Sequence, residues 1–242
     1  MRIAILQTDH VLDEFQEEFG DYPEMFMSLL RGVRGDLEFA CYDVQIELPR
    51  RIDCDAYLIT GSRHSVYDEL PWIQDLVDFL RTVLEARKKI LGICFGHQLM
   101  AHFFGGEVGP AAAGWAVGVH GSAVNGQRGW MTEAEKGVRL LSSHKDQVKR
   151  LPDGAGVYAT NDFCPIAGFT MGSQVWTIQG HPEFASEYSR ALMTFRREIL
   201  GEQVYADGIS SLTQTTDATR VADWMMNFVE QEIDVDSGVA IE

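Results

Sequence analysis

The fold is decided by residues 89–106, which read KILGICFGHQLMAHFFGG. This stretch begins as a short apolar run, passes through a Gly-x-Cys-x-Gly sequence, and continues with apolar residues at helical spacing until paired glycines end it. The order predicts a strand, a tight turn and a helix, with Cys94 at the turn. Gly92 and Gly96 leave room for a sharp, strained backbone, so the Cys94 side chain would point out at the end of a sheet.

The cysteine at this turn has two interpretations. A thiol at the N-terminus of a helix faces unpaired backbone N–H groups and the positive end of the helix dipole, and both favour the nucleophilic thiolate. A free cysteine is also a common small core residue that is buried and inert. The stretch around Cys94 leaves both interpretations open, so a second motif has to decide between them.

Composition indicates a globular protein that acts in a reducing compartment. The chain has 242 residues, 45% hydrophobic and 23% charged, and no window is apolar for long enough to span a membrane. Polar residues interrupt the first apolar run too early for a signal peptide, and the four cysteines form no Cys-x-x-Cys pair. We therefore expect a cytoplasmic protein with reduced thiols, folded as one domain over residues 1–242 with its core at about 40–195.

Charge and missing motifs narrow the range of partners. The net charge of −16 would repel phosphate backbones and anionic membranes, so we expect neither nucleic acid nor membrane as a partner. The sequence has no His-Glu-x-x-His pattern, no Walker loop and no Gly-x-Gly-x-x-Gly. We therefore expect no metal and no cofactor.

The other segments are assigned from hydrophobic spacing and from glycine, proline and capping residues. Strands are predicted at residues 2–7, 37–44, 56–60, 115–124, 138–142, 156–159, 166–170 and 174–179, and helices at 23–30, 71–87, 186–200 and 212–232. Residues 8–22 are predicted as an acidic loop, 121–134 as an exposed excursion, 142–148 as a cap with one or two helical turns, and the end beyond 232 as a frayed tail. Strands alternating with helices in the first half favour a parallel sheet covered on both faces.

Two further motifs lie where predicted strands end. The strand at 56–60 continues directly into Gly61, Ser62 and Arg63, which indicates a binding loop at the carboxyl edge of the sheet. The strand at 174–179 continues into a Gly-His-Pro-Glu sequence that contains His181 and Glu183. A cysteine nucleophile needs a base, and the base needs a third group to orient it. Each motif alone has a structural explanation, but together they favour a catalytic Cys94.

The sequences GICFGHQ at 92–98 and GHPE at 180–183 together resemble the class I, triad-type glutamine amidotransferase family. The overall layout is similar to the glutaminase portion of GMP synthase and its free-standing relatives. The resemblance implies an α/β fold with an open, mostly parallel central sheet, helices on both faces, a flavodoxin-like arrangement and a nucleophile elbow.

The resemblance also implies roles for individual residues. Cys94 would attack the side-chain amide carbon of glutamine, His181 would act as acid and base, and Glu183 would orient His181. The backbone N–H groups of Phe95 and Ser62 would hold the oxyanion.

Further residues would contact the substrate. Gly61 belongs to the oxyanion loop, in which Ser62 and Arg63 stand where the family usually has glycine and proline. Gln98 would contact the amino acid end of the substrate, and the segment from Ser143 through His144 to Asp146 matches a loop that often lies against it. For His144 and for Asp146, two residues further on, the alternative is that they begin a helix.

Three functions remain open from the sequence. The first is a glutaminase that forms a γ-glutamyl thioester on Cys94 and releases glutamate and ammonia, with a separate synthetase as the partner that uses the ammonia. The second is a stand-alone hydrolase of γ-glutamyl peptides or other γ-glutamyl compounds. The third is a non-catalytic regulatory or binding subunit. A related cysteine peptidase and chaperone-like superfamily also has an elbow cysteine, but a histidine often follows the cysteine there, whereas here Phe95 does.

Overall fold

A nine-stranded mixed sheet forms the centre of the protein, whose structure is a computed structural model describing residues 1–234. The strands are β1 (Arg2–Gln7), β2 (Glu38–Asp43), β3 (Ala56–Ile59), β4 (Lys89–Ile93), β5 (Glu107–Pro110), β6 (Ala116–Val124), β7 (Val138–His144), β8 (Asp146–Arg150), β9 (Ala155–Thr160), β10 (Gly168–Met171) and β11 (Val175–Ile178). The helices are α1 (Asp13–Phe19), α2 (Tyr22–Arg31), α3 (Pro71–Glu85), α4 (Phe95–Phe103), α5 (Ser186–Phe195), α6 (Arg197–Leu200), α7 (Glu202–Ser211) and α8 (Ala218–Glu230), with a 3-10 helix at Ala134–Lys136.

The sheet has a parallel half and an antiparallel half. Its strand order is β2-β1-β3-β4-β11-β10-β9-β6-β7, and β5 pairs with β8 in a separate two-stranded sheet. The strands from β2 to β11 are parallel, whereas those from β10 to β7 pair antiparallel. Because β4 and β11 are parallel neighbours with Ile93 opposite Ile178, the chain leaves both strands at the same edge. This pairing brings the Cys94 turn and the Gly-His-Pro-Glu segment together.

Helices cover both faces of the sheet, as the alternation of side chains along β1 shows. Ile3 and Ile5 pack into one buried cluster together with α2 and α8, and Ala4 and Leu6 pack into a second cluster together with α3 and α4. The predicted α/β class is thereby confirmed. No helix within residues 1–234 has the length and apolar character needed to cross a membrane.

The eight strands predicted from the sequence are found within two residues of their predicted ends. The prediction of a cap and helical turns at 142–148 is wrong, because these residues complete β7 and begin β8. Seven residue pairs between β6 and β7 hold the segment extended, and tertiary pairing of this kind overrides a local capping signal. The exposed excursion at 121–134 is also wrong in part, since β6 extends to Val124 and Trp130 and Met131 are buried in the core.

The helical predictions need three corrections. The predicted loop at 8–22 contains α1, and the predicted helix at 186–200 is divided into α5 and α6. The last helix begins at Ala218 rather than 212, because residues 202–211 form α7, a separate helix that starts after Gly201. The end predicted to fray, 235–242, lies outside the described residues.

The two glycines of the elbow are required by close packing. A Cβ on Gly96 would lie 2.7 Å from Cβ and 2.8 Å from the carbonyl oxygen of Ile59, and one on Gly92 would lie 2.7 Å from the Gly96 carbonyl. The strand and helix on either side of Cys94 can therefore approach only with glycine at these positions.

Replacing Gly96 with alanine should destabilise the protein because β3 and α4 would have to separate. We expect the free energy of unfolding, measured by urea denaturation, to fall by about 1–3 kcal/mol. Gly35→Ala is the matched control, since a Cβ there would meet no atom within 4 Å. Equal stability of the two variants would contradict the steric role of Gly96.

Candidate active site

The backbone at Cys94 is strained. Its φ of 50° and ψ of −94° lie outside the regions that non-glycine residues ordinarily adopt. Two hydrogen bonds hold this conformation: Cys94 N donates to Ile178 O at 3.0 Å, and Gln98 N donates to Cys94 O at 3.0 Å. The turn is thus fixed by β11 on one side and by the first turn of α4 on the other.

His181 and Glu183 form a buried pair beside this turn. His181 Nδ1 lies 2.7 Å from Glu183 Oε1, and the His181 ring stacks on Phe184 with 4.0 Å between ring centroids. Gly61 lies against both His181 and Cys94, because a Cβ at this position would be 2.8 Å from His181 Cε1 and 3.6 Å from Cys94 Cβ. The fold therefore brings the cysteine, the histidine and the carboxylate together.

The protonation state of His181 follows from its surroundings. Burial lowers its pKa, but the charges of Glu183 and Cys94 and their hydrogen bonds to the ring outweigh burial and raise the pKa to about 10. At neutral pH the His181 ring is therefore protonated, and a cationic ring beside the sulfur is the arrangement that a cysteine nucleophile requires.

The two backbone N–H groups expected to bind an oxyanion lie on either side of the cysteine. Phe95 is the first residue of α4, so its N–H has no partner within the helix. Ser62 follows β3, and its N–H has no acceptor within residues 1–234. The Ser62 hydroxyl donates to Thr8 O at 3.3 Å and accepts from His64 N at 3.2 Å, so it shapes the loop.

A cavity of about 200 Å³ opens above Cys94. Eight of the nine residues predicted from the sequence line it: Gly61, Ser62, Cys94, Phe95, Gln98, Ser143, His144 and His181. The ninth, Glu183, lies behind His181. Within the described residues, no group of three or more histidine, cysteine, aspartate or glutamate side chains is arranged to hold a metal ion.

The predicted substrate-contacting side chains are largely held by the protein itself. Gln98 Nε2 donates to Asp146 O at 2.8 Å and to Gln179 Oε1 at 3.0 Å. Ser143 Oγ accepts from Arg196 Nη1 at 2.9 Å. His144 Nδ1 lies 2.9 Å from Asp146 O, and burial lowers the pKa of His144 to about 3, so its ring is neutral. The His144 side chain therefore contributes no charge to the cavity, and its contact with Asp146 O helps to hold the cavity wall in place.

Asp146 lines the cavity. It ends the segment 143–146 that the family resemblance places against the substrate, with the start of a helix as the alternative. Its Oδ2 accepts from Ser65 Oγ at 2.6 Å and from Tyr67 Oη at 3.0 Å. Its Oδ1 is buried and has no hydrogen-bond partner among residues 1–234. A buried carboxylate oxygen without a partner is costly, which makes Asp146 unusual among the residues that line the cavity. Asp146 begins β8, so the alternative that it starts a helix is wrong.

The structure thus places an elbow cysteine beside a buried histidine–glutamate pair at the carboxyl edge of parallel strands. The sequence model of the family described as glutamine amidotransferase class-I matches residues 22–199. The chain belongs to the class I glutamine amidotransferase family.

Individual relatives differ in what their names say they do. Gamma-glutamyl peptidase 3 of Arabidopsis thaliana is 29% identical over 216 residues, which cover 85% of this chain and 86% of that protein. The glutamine-hydrolyzing GMP synthase of Bacteroides fragilis is 33% identical over 132 residues, 54% of this chain but only 25% of that protein. The crystal structure of a glutamine amidotransferase from Thermotoga maritima superimposes with a TM-score of 0.76 at 18% identity, covering 95% of this chain and 99% of that one, which shows a shared fold.

Proposed function

We propose that the chain hydrolyses the side-chain amide of γ-glutamyl compounds through a γ-glutamyl thioester on Cys94. The observation that supports this most strongly is the buried His181–Glu183 pair, 2.7 Å between Nδ1 and Oε1, beside the strained Cys94 turn. The pair supplies an acid and base whose ring is fixed in one orientation.

The reaction follows from these positions. The Cys94 thiolate attacks the γ-carbonyl carbon, and the N–H groups of Phe95 and Ser62 stabilise the oxygen as it becomes negative. The His181 imidazolium gives its proton to the leaving nitrogen, so that the C–N bond breaks and an amine or ammonia departs. Water then attacks the thioester, His181 takes a proton from the water, and glutamate leaves as the thiolate and imidazolium are restored.

Among γ-glutamyl compounds, we favour peptides or related amides over free glutamine. From the sequence alone, hydrolysis of glutamine was the leading hypothesis among the three functions. The similarity to gamma-glutamyl peptidase 3, over 85% of this chain and 86% of that protein, supports the stand-alone hydrolase instead. Hydrolysis of glutamine for a separate synthetase is the second candidate, supported by the match to glutamine-hydrolyzing GMP synthase over 54% of this chain.

A panel of substrates separates these functions. The purified chain is incubated with γ-glutamyl dipeptides and with L-glutamine, and released glutamate, ammonia and amino acids are quantified. Turnover of the peptides with glutamine ignored supports the stand-alone hydrolase. Ammonia from glutamine, rising when a candidate synthetase is added, supports the second candidate. No turnover of any compound, with Cys94 unreactive toward a glutamine-like alkylating agent, supports the non-catalytic subunit.

We further propose that Asp146, which lines the cavity together with Cys94, binds the α-ammonium group of the γ-glutamyl substrate. The isosteric variant Asp146→Asn removes the charge, and hydrogen bonds to a charged group contribute about 1.5–3 kcal/mol, so we expect KM to rise about 10- to 100-fold. The control is a glutaryl amide, which lacks the α-amino group. Wild type and variant should handle it with similar kcat/KM, and an equal loss on both substrates would contradict this role.

A further inference from the structure

We propose that Thr8 and Asp9, directly after β1, are positioning residues that aim the Ser62 N–H at the reacting carbonyl oxygen. This inference rests on the proposed function, because it concerns the same thioester chemistry at Cys94. The geometry that supports it is a set of hydrogen bonds fixing two consecutive peptide planes, one on each side of Ser62.

The two loops meet because their strands are neighbours. β1 and β3 pair in parallel, with Leu6 opposite Ile59, so the residues that follow each strand lie at the same edge of the sheet. The loop after β3 carries Ser62, and the segment after β1 carries Thr8 and Asp9. Both Thr8 and Asp9 are buried, as loop residues seldom are.

Thr8 fixes the peptide plane that contains the Ser62 N–H. Thr8 Oγ1 donates to Gly61 O at 2.9 Å, and Thr60 Oγ1 donates to the same carbonyl at 3.2 Å. In a trans peptide the C=O and the following N–H point in opposite directions. Anchoring the Gly61 carbonyl toward β1 therefore turns the Ser62 N–H away from β1.

Asp9 fixes the next peptide plane. Its Oδ2 accepts from Arg63 N at 2.8 Å and from Arg63 Nε at 2.7 Å, and its Oδ1 accepts from His10 N at 2.9 Å. Arg63 Nη2 also donates to His10 O at 3.1 Å. The Asp9 side chain is only 7% exposed, and a buried carboxylate with several charge-assisted bonds is held rigidly. The Ser62 N–H thus belongs to one fixed peptide plane, and the next plane along the chain is fixed as well.

Both contacts can be removed with little change in shape. Thr8→Val replaces the hydroxyl with a methyl group, and Asp9→Asn leaves one carbonyl oxygen where two carboxylate oxygens accept four hydrogen bonds. Removing an oxyanion donor costs about 100- to 1000-fold in rate, and a displaced donor should cost less. We expect kcat on a γ-glutamyl amide to fall about 10- to 100-fold in each variant, with KM changed less than about threefold.

A second reaction at the same sulfur separates positioning from general damage. Iodoacetamide alkylates Cys94 by forming an S–C bond as the C–I bond breaks and iodide leaves, so the reacting carbon never carries an oxyanion. We expect its alkylation rate to stay at the wild-type value in both variants. Thr8→Ser, which keeps the hydroxyl, should restore wild-type kcat. Asp53→Asn is the matched control, since it weakens an Arg–Asp pair of 2.9 Å with Arg2 at the opposite edge of the sheet.

The possible results distinguish a failure of this inference from a failure of the proposed function. Wild-type kcat in Thr8→Val and Asp9→Asn overturns this inference while leaving the proposed function in place. Loss of alkylation in parallel with kcat also overturns it, because the cysteine itself would then be disturbed. If Asp9→Asn does not fold, the inference is tested by comparing kcat of Thr8→Val with kcat of Thr8→Ser. A wild-type protein that turns over no γ-glutamyl amide overturns the proposed function and this inference together.

Discussion

Cys94→Ala is expected to reduce turnover of γ-glutamyl amides by about 10⁶-fold, the loss typical when the nucleophile of a catalytic triad is removed. Alanine has no sulfur with which to form a thioester, so the reaction cannot proceed through the covalent intermediate. The oxyanion donors and substrate contacts would remain, so substrate binding should persist. Measuring glutamate release by the variant, together with substrate affinity by calorimetry, tests both statements.

Cys164→Ala is the matched control for the loss of a thiol. Cys164 is buried near the site, but burial raises its pKa to about 12, so it carries no thiolate at neutral pH. We expect this variant to keep wild-type kcat and to remain open to alkylation by iodoacetamide at Cys94. If activity survived in Cys94→Ala and disappeared in Cys164→Ala, the nucleophile would be Cys164, and the assignment to Cys94 would be wrong.

The sequence was most informative where local sterics decide the structure. The Gly-x-Cys-x-Gly pattern predicted the elbow because Gly92 and Gly96 have no room for a Cβ, and such constraints act within a few residues. The pairing of β4 with β11 is different in kind, since it joins segments about eighty residues apart and depends on the whole sheet. It could be expected from the family resemblance, but not from either strand.

The error at 142–148 comes from tertiary strand pairing that local signals do not contain. Ser142 and Ser143 have the composition of a helix cap, yet β6 holds them in a strand. The segment after β1 was predicted as a loop, and nothing in its composition shows that Thr8 and Asp9 become buried against Gly61 and Arg63. The burial of Asp146 Oδ1 without a hydrogen-bond partner likewise depends on the folded structure and cannot be predicted from the neighbouring residues.

Glu183→Gln is expected to lower kcat by about 10⁴-fold, the loss seen when the carboxylate that orients a catalytic histidine becomes an amide. Glu183 Oε1 accepts from His181 Nδ1 at 2.7 Å in a buried setting. Glutamine has nearly the same shape but no charge, so it neither stabilises the imidazolium nor selects one ring tautomer. Glu187→Gln, an exposed change in the first turn of α5, is the matched control and should leave kcat unchanged.

The pH dependence of the same variant shows whether charge is the cause. The wild-type His181 pKa is about 10, since the charges of Glu183 and Cys94 more than offset burial. The leaving nitrogen needs the protonated ring, which exists below this pKa, so wild-type kcat/KM should decline only in strongly alkaline solution. Removing the Glu183 charge lowers the His181 pKa, and the alkaline decline should therefore begin at lower pH. A variant with reduced kcat and an unmoved alkaline limb would mean that Glu183 orients the ring without stabilising its charge.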